Sequence, residues 1–272
     1  MKDDESHIKK RIDFLEQLHK VSRKNFKDMT QLLVATISLS NRFLGGHLKR
    51  VAESARDFAM EEGYDDDRRE LLYYSGLLHD IGMVGMPEKI IFNDTENFSA
   101  EELFLYRKHP VIGEELIGTI YNLRRIAASI RSHHEDYSGS GFPDGLKGRD
   151  IPFTSRLIRI ASDYDNLIFR NGKRHEDAIS ELEKQSSILY DPQILYTFCR
   201  IKERDFGKEE RRLHKIRLKD IQTGMMLNSD IVLRNGLLLL PKGIIVNSKM
   251  LEKLKSFRNL IDERIREVEV FY

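Results

Sequence analysis

Residues 130–148 read IRSHHEDYSGSGFPDGLKG: two adjacent histidines close a helical pattern, an acid follows, and a loop with four glycines and one proline carries the chain onward. Upstream, YNLRRIAASIR (121–131) keeps helical spacing up to those histidines. Downstream, IPFTSRLIRIASDYDNLIF (151–169) begins with proline and continues as a helix, a position where the missing N–H costs nothing. Helix, loop and helix with no βαβ alternation predict a helical core rather than a doubly wound sheet.

The same texture extends on both sides. QLLVATISLSNRFLGG (31–46) reads as a buried helix ended by glycines. HLKRVAESARDFAMEEG (47–63) repeats Val51, Ala55, Phe58 and Ala59 on one face. DDDRRELLYYSGLLHDIG (65–82) has acids in its first turn and glycine at its end, and Ser99–Glu102 forms a capping box for the next helix. Two further helices are expected near 175–187 and 191–205. Residues 7–28 read as a charged helix with a narrow apolar stripe of Ile8, Ile12, Leu15, Leu18 and Val21, either packed on its own domain or serving as a signalling and dimer helix.

After the charged linker KERDFGKEERRLHK (202–215) the pattern changes. DIVLRNGLLLLPKG (230–243) predicts two short strands around Asn-Gly, NSKMLEKLKSF (247–257) a capped helix, and VEVFY (268–272) a last strand. The expected organisation is mainly α: an N-terminal helical region over 1–40, a helical bundle over 41–206, and a small α+β module over 213–272.

Composition narrows the function classes. Hydrophobic residues are 40% and charged residues 33%, with a net charge of +1, so nothing global favours a nucleic acid polymer. No apolar run reaches the roughly 20 residues of a membrane span. The start MKDDESHIKK is too charged for a secretory signal, and one cysteine, Cys199, suits a reducing cytoplasm.

Nine histidines are the compositional oddity. His47 opens a helix after Gly45-Gly46; His79-Asp80 and His133-His134 close helices; His109 precedes Pro110 at a helix boundary. Each by itself suits a buried or capping role. Five imidazoles and a carboxylate at converging helix ends also make a ligand set for iron, manganese or zinc. Neighbours on a helix point about 100° apart, so His79-Asp80 and His133-His134 suit two metals better than one, with Asp80 bridging. His7, His19, His175 and His214 lie in charged stretches and are expected at the solvated surface.

GHLKRV (46–51), LLHDIGMVGMPEKII (77–91), KHPVIGEELI (108–117), SHHEDYSGSGFPDGLKGRDIP (132–152), RLIRIASDYDNL (156–167) and YDPQIL (190–195) together resemble the HD-GYP family. These are phosphodiesterases of the HD superfamily that hydrolyse cyclic di-GMP with metal ions. The resemblance covers about 45–200 and implies the HD-superfamily helical bundle. It implies His47, His79, Asp80, His109, His133 and His134 as ligands of two divalent ions, iron or manganese, with His79 and Asp80 central to catalysis. Gly139, Gly141, Phe142 and Pro143 would form the substrate wall, Phe142 offering a ring face to a guanine. The implied partners are cyclic di-GMP or a related cyclic dinucleotide, with protein signalling partners and a second copy of the chain as further candidates. The C-terminal module is similar to one that follows this domain in some members, and no receiver domain fits into 1–40.

The chain departs from the family at five places. Met83 stands for a lysine, Ser138 for an aspartate and Phe142 for the signature tyrosine. Phe43 stands for the glutamate of three-metal members, which points to two ions. Ser162 stands for a metal-binding aspartate. On the helix, Ser155, Ile158, Ser162, Asp165 and Phe169 share one stripe, so Asp165 is the nearest substitute ligand, its alternative being a local hydrogen bond. Asp163 falls on the stripe of Arg156 and Arg159 and is expected to pair with arginine. Arg170, Lys173 and Arg174 either contact a phosphate in place of the lysine or form a solvated turn. Two functions follow: a dinuclear phosphodiesterase, or a degenerate signalling domain that binds metal and cyclic dinucleotide or a protein partner with little or no turnover.

Overall fold

The computed structural model describes residues 2–92, 95–209, 213–242, 244, 246–261, 265 and 267–271. The chain forms two compact units, residues 1–46 and 47–272.

The first unit is dominated by α1 (Lys2–Ser40), a helix of 39 residues. Ile8, Ile12, Leu15, Leu18 and Val21 are each at least half exposed along it. The chain breaks at Asn41, whose side chain accepts from the Leu44 amide at 2.9 Å and starts α2 (Arg42–Glu61). Gly45 and Gly46 therefore lie inside α2 instead of ending a helix. Packing is the reason at Gly45, where a Cβ would meet Ser38 Oγ at 2.1 Å.

The second unit continues α2 through α3 (Asp66–Leu78), α4 (Glu88–Phe92), α5 (Ala100–Gly118) and α6 (Arg124–Arg131). It continues with α7 (Phe153–Asp165), a π-helical turn over Asn166–Arg170, α8 (His175–Lys184) and α9 (Pro192–Glu209). Asp65 caps α3, and the Ser99–Glu102 capping box opens α5. Val51, Ala55 and Phe58 of α2 meet Leu157, Ile160 and Ala161 of α7, with Leu182 and Phe198 from α8 and α9, all at most 2% exposed. Each such large side chain contributes about 1.5–3 kcal/mol on burial. The expected stripe of α2 is thus the core face.

His109 and Pro110 lie within α5, not at its boundary. Proline brings no N–H to the Tyr106 carbonyl four residues back. The imidazole of His109 takes that carbonyl instead, with Nδ1 at 2.6 Å from it. His175 also departs from expectation: it is buried, hydrogen-bonded to Tyr164 at 2.8 Å and stacked on Phe206. Its neighbours in sequence are charged, but its own face turns inward. His7, His19 and His214 are exposed.

Residues 213–272 carry their own apolar cluster, including Leu227, Ile231, Val246, Val268 and Val270. β1 (Leu213–Arg217), β5 (Glu267–Phe271) and β2 (Met226–Leu227) form an antiparallel sheet in the order β1-β5-β2. Val268 and Val270 are buried and alternate with Glu267 and Glu269, which are more exposed, the alternation of a one-faced strand. β3 (Ile231–Val232) and β4 (Leu238–Leu240) make the expected hairpin around Asn235-Gly236, and Asn247 caps α10 (Ser248–Ser256). The fold is therefore mainly α with a small α+β module. Among the described residues, no helix is long and apolar enough to cross a membrane.

Candidate metal centre

His47 stands on α2, His79 caps the end of α3, His109 stands on α5, and His133 and His134 follow α6. The bundle brings all five imidazoles to Asp80. Candidate ligand atoms of His47, His79 and Asp80 lie within 4.8 Å of one another, as do those of Asp80, His109, His133 and His134.

Helix ends orient the rings. His79 Nδ1 donates to the Gly76 carbonyl at 2.8 Å, and His133 Nδ1 to the Ile130 carbonyl at 2.6 Å. These are last-turn carbonyls that lack an intrahelical partner. With His109 on the Tyr106 carbonyl, three rings have Nδ1–H tied to backbone three residues earlier, and their Nε2 lone pairs point inward. His47 reaches the same state by another route: its Nδ1 lies 2.7 Å from Asp165 Oδ2.

The lone pairs meet in two couples. His47 Nε2 is 3.1 Å from His79 Nε2, and His109 Nε2 is 3.1 Å from His133 Nε2. Asp80 offers one oxygen to each: Oδ1 lies 3.1 Å from His109 and 3.3 Å from His133, while Oδ2 lies 3.4 Å from His79 and 3.7 Å from His47. Burial pushes His79 down to about 3 and lowers His133 as well, so neither holds an extra proton to bridge its couple. Burial works against the Asp80 charge, yet the neighbouring imidazoles, His79 first, hold the carboxyl well below its ordinary range. Facing nitrogen lone pairs around an ionised carboxylate repel one another unless a cation lies between them. The residues present therefore fit a metal.

Gly82 sets the spacing. A Cβ there would meet the His109 carbonyl oxygen at 2.0 Å and the Gly113 nitrogen at 2.9 Å, so only glycine lets the turn after Asp80 approach α5 this closely.

Asp165 does not join the candidate ligands. It sits behind His47 and is held by Arg50 at 2.6 and 2.9 Å, with the Arg50 guanidinium 3.7 Å over the Phe169 ring. Burial opposes its charge, but Arg50 and His47 outweigh that and lower its pKa. Of the two roles open to Asp165, the structure shows the hydrogen bond. Ser162 faces the cluster, its Oγ 3.3 Å from His47 Nε2. Asp163 pairs with Arg159 at 2.9 Å, as its stripe predicts.

Beside the centre is a cavity of about 500 Å³ lined by Tyr106, His134, Phe142, Arg159, Asn166 and Arg170 among others. Phe142 stacks on His134 at 4.8 Å and 12°, with Arg107 5.5 Å over the ring. One face expected to receive a base is thus covered by His134. The loop is held from below by Glu135, whose carboxylate accepts from the amides of Asp144, Gly145 and Leu146 at 2.7–3.1 Å. Gly141 packs so tightly that a Cβ would meet Asp136 N at 2.2 Å. Gly139 takes φ +91°, and Pro143 follows a cis Phe142–Pro143 peptide. Ser138 is exposed and hydrogen-bonds Ser140 at 3.0 Å. Met83 is buried and brings no charge.

The basic trio divides. Arg170 lines the cavity and donates to the Ile91 carbonyl at 3.1 Å, whereas Lys173 pairs with Glu181, and Arg174 with Asp177 at 2.8 Å. Lys173 and Arg174 are thereby the surface turn. Sequence reasoning passed over Tyr106, Arg50, Glu135 and Asn166 as site components, and gave Arg159 only a pairing role. Charge on the polar stripe of α7 was the one available signal, for Arg159. A larger cavity, about 1020 Å³, lies in the C-terminal module and shares no residue with the centre.

A bundle that turns five histidines from four helices and their ends onto one aspartate defines a helical domain fit to bind metal. A family model described as "HD domain" matches residues 31–194, more than half of the chain, and the chain belongs to this HD domain family. The "Cyclic di-GMP phosphodiesterase" of Thermotoga maritima is 29% identical over 163 residues, covering 58% of this chain and 44% of that protein. A "Probable cyclic di-GMP phosphodiesterase" of Vibrio cholerae is 31% identical over 182 residues, covering 60% and 41%. The chain thus spans less than half the length of these curated relatives. The solved structure of Bd1817 from Bdellovibrio bacteriovorus, described as a HDG"Y"P protein, superposes with a TM-score of 0.50. It is 24% identical, covers 58% of this chain and 51% of that one, and supports the fold alone.

Proposed function

We propose that the chain is an HD-GYP-type phosphodiesterase that hydrolyses cyclic di-GMP, or a related cyclic dinucleotide, at a centre for two divalent ions. The supporting observation is the pair of imidazole couples, each with Nε2 atoms 3.1 Å apart, astride the two oxygens of Asp80. Two imidazoles and one carboxylate oxygen per ion suit iron or manganese and leave positions open for water and phosphate. Ions bound there would lower the pKa of a water and offset charge growing on the phosphodiester.

The chain's own residues prepare the substrate. Arg170 and Arg159 line the cavity with guanidinium groups, Arg159 paired with Asp163 on the same wall. Asn166 Oδ1 is buried with no hydrogen-bond partner among the described residues, an acceptor suited to the N–H edge of a guanine. Phe142 and the glycine loop close one side.

Buried, uncharged Met83 and the paired Lys173 and Arg174 favour a second reading, a domain that binds the dinucleotide with little turnover. Anaerobic purification with iron or manganese, followed by assay for linear dinucleotide, separates the two. Product that disappears in His79→Ala and Asp80→Ala supports the enzyme. Tight binding without product across several metals overturns it.

A further inference from the structure

We infer that α1 pairs in parallel with α1 of a second copy of this chain, through an exposed seam that runs from Ile8 to Thr36.

The seam is a heptad series. Positions 8, 12, 15, 19, 22, 26, 29, 33 and 36 step alternately by four and three residues, the period of two helices wound around each other. They hold Ile8, Ile12, Leu15, Phe26, Met29 and Leu33, with His19 and Ser22 among the polar members. The charged residues of the stretch, from Lys9 to Asp28, all fall off the series. Ile12 and Leu15 take successive a and d positions, the combination that favours two strands.

Within one copy the seam is left open. Ten large apolar side chains from Ile8 to Leu39 are 42–89% exposed. Thr30, Val34 and Ile37 are buried, so the last turns of α1 already have a packed face. Met29, Leu32, Leu33 and Leu39 form a second apolar face beside it. Eight of the ten, all but Phe14 and Val21, lie on the seam or at its edge. At about 60–120 Å² of apolar surface per side chain, they leave about 300–600 Å² open in each copy. Homodimer interfaces are about 65% apolar, so pairing would bury about 900–1,800 Å² in all, the size of a specific interface.

Charge chooses the partner. Arg11 stands at a g position and Glu16 at the e position five residues on, places that face each other across a parallel pair. Neither has a partner among the described residues. Each would meet the other's counterpart on the second copy, twice by symmetry. In register, His19 and Ser22 each meet their own counterpart, side chains that both donate and accept hydrogen bonds. A membrane surface suits α1 less, because Asp13, Glu16 and Asp28 interrupt a polar face that in a lipid-bound helix is rich in Lys and Arg. Nothing in the pairing depends on the metal centre.

Sedimentation equilibrium of the full chain tests this. The parent protein should have twice the chain mass. Ile12→Lys/Leu15→Lys should be monomeric, whereas Phe14→Lys, off the seam, should stay dimeric. Arg11→Glu and Glu16→Arg should each weaken association by about 2- to 30-fold, the loss of two exposed ion pairs, and the double exchange should restore it. Met29→Cys should cross-link between copies on mild oxidation, which the parent, whose Cys199 is buried, should not do. A monomeric parent overturns the pairing, and one that binds vesicles of anionic lipid assigns the seam to a membrane instead. A dimer that survives Ile12→Lys/Leu15→Lys, or is lost equally in Phe14→Lys, overturns it as well. Failure of the double exchange to restore association, or of Met29→Cys to cross-link, overturns the parallel register.

Discussion

Asp165 Oδ2 lies 2.7 Å from Nδ1 of His47, and the opposite nitrogen of the same ring faces His79 at 3.1 Å. The carboxylate acts on the centre through the imidazole, fixing its tautomer and direction. Partners of this kind are worth about 10–100-fold in metal affinity. Asp165→Ala should weaken metal binding by that factor in a chelator-competition titration. Asp163→Ala, which removes a partner from Arg159 and Tyr190 but from no imidazole of the two couples, should leave affinity unchanged. Equal losses in the two variants would mean that Asp165 acts only through general stability.

Gly82 carries a second prediction. Its would-be Cβ contacts are backbone atoms of α5, which cannot step aside as a flexible side chain can. Gly82→Ala should cost about 1–3 kcal/mol in a urea melt, the usual range for overpacking. Because the displaced atom is the carbonyl of His109, metal binding should fall as well. A variant of parental stability and full metal content would contradict the packing argument.

Glu135 should prove to be the anchor of the glycine loop. Three amides lose their acceptor in Glu135→Ala, at an expected cost of about 3 kcal/mol. At about 2–4 °C per kcal/mol for a domain of this size, the melting temperature should drop by about 6–12 °C. Glu135→Gln, which keeps one acceptor oxygen, should lose less. The comparison is a pair of thermal melts, and equal drops would argue against the amide cradle.

Stability of the metal-free protein should fall in mild acid. Burial holds His79 at about 3 and lowers His133, while an unfolded chain titrates histidine near 6.5. Between those values the unfolded state binds protons that the native state refuses. The stabilising contribution is therefore whole above about 6.5 and is lost progressively as pH falls toward 3. The slope approaches about 1.4 kcal/mol per pH unit for each histidine that behaves this way. Denaturant melts at pH 7, 6 and 5 should show it, and His79→Gln should flatten it. A curve flat across this range would refute the assignment. Bound metal should come off over the same interval, since protons compete for the same nitrogens.

Much of the centre was legible because its chemistry is local. HD and HH at helix ends place imidazoles beside last-turn carbonyls, and HP within α5 frees the Tyr106 carbonyl for His109. A helix-end histidine acquires a tautomer from residues three places back. The capping box at Ser99, the Asn247 cap and the Asn-Gly hairpin were readable for the same reason. His175 was misread because charged neighbours say nothing about which way its own ring turns.

By itself, then, the sequence determined the helical architecture, the separate texture of residues 213–272, and the helix-end places of His79, His133 and His134, whereas His47 and His109 proved to lie inside α2 and α5. Only the tertiary structure decided what each nitrogen faces. Asp165 meets His47 across 118 positions of chain, and Arg159 meets His134 across 25. Ser162 and Asp165 share a helical stripe, yet one side chain faces the cluster and the other the back of an imidazole. Periodicity assigns a residue to a face of its own helix. The direction in which it finds a partner depends on how closely other helices approach, and that is set by packing at residues such as Gly82.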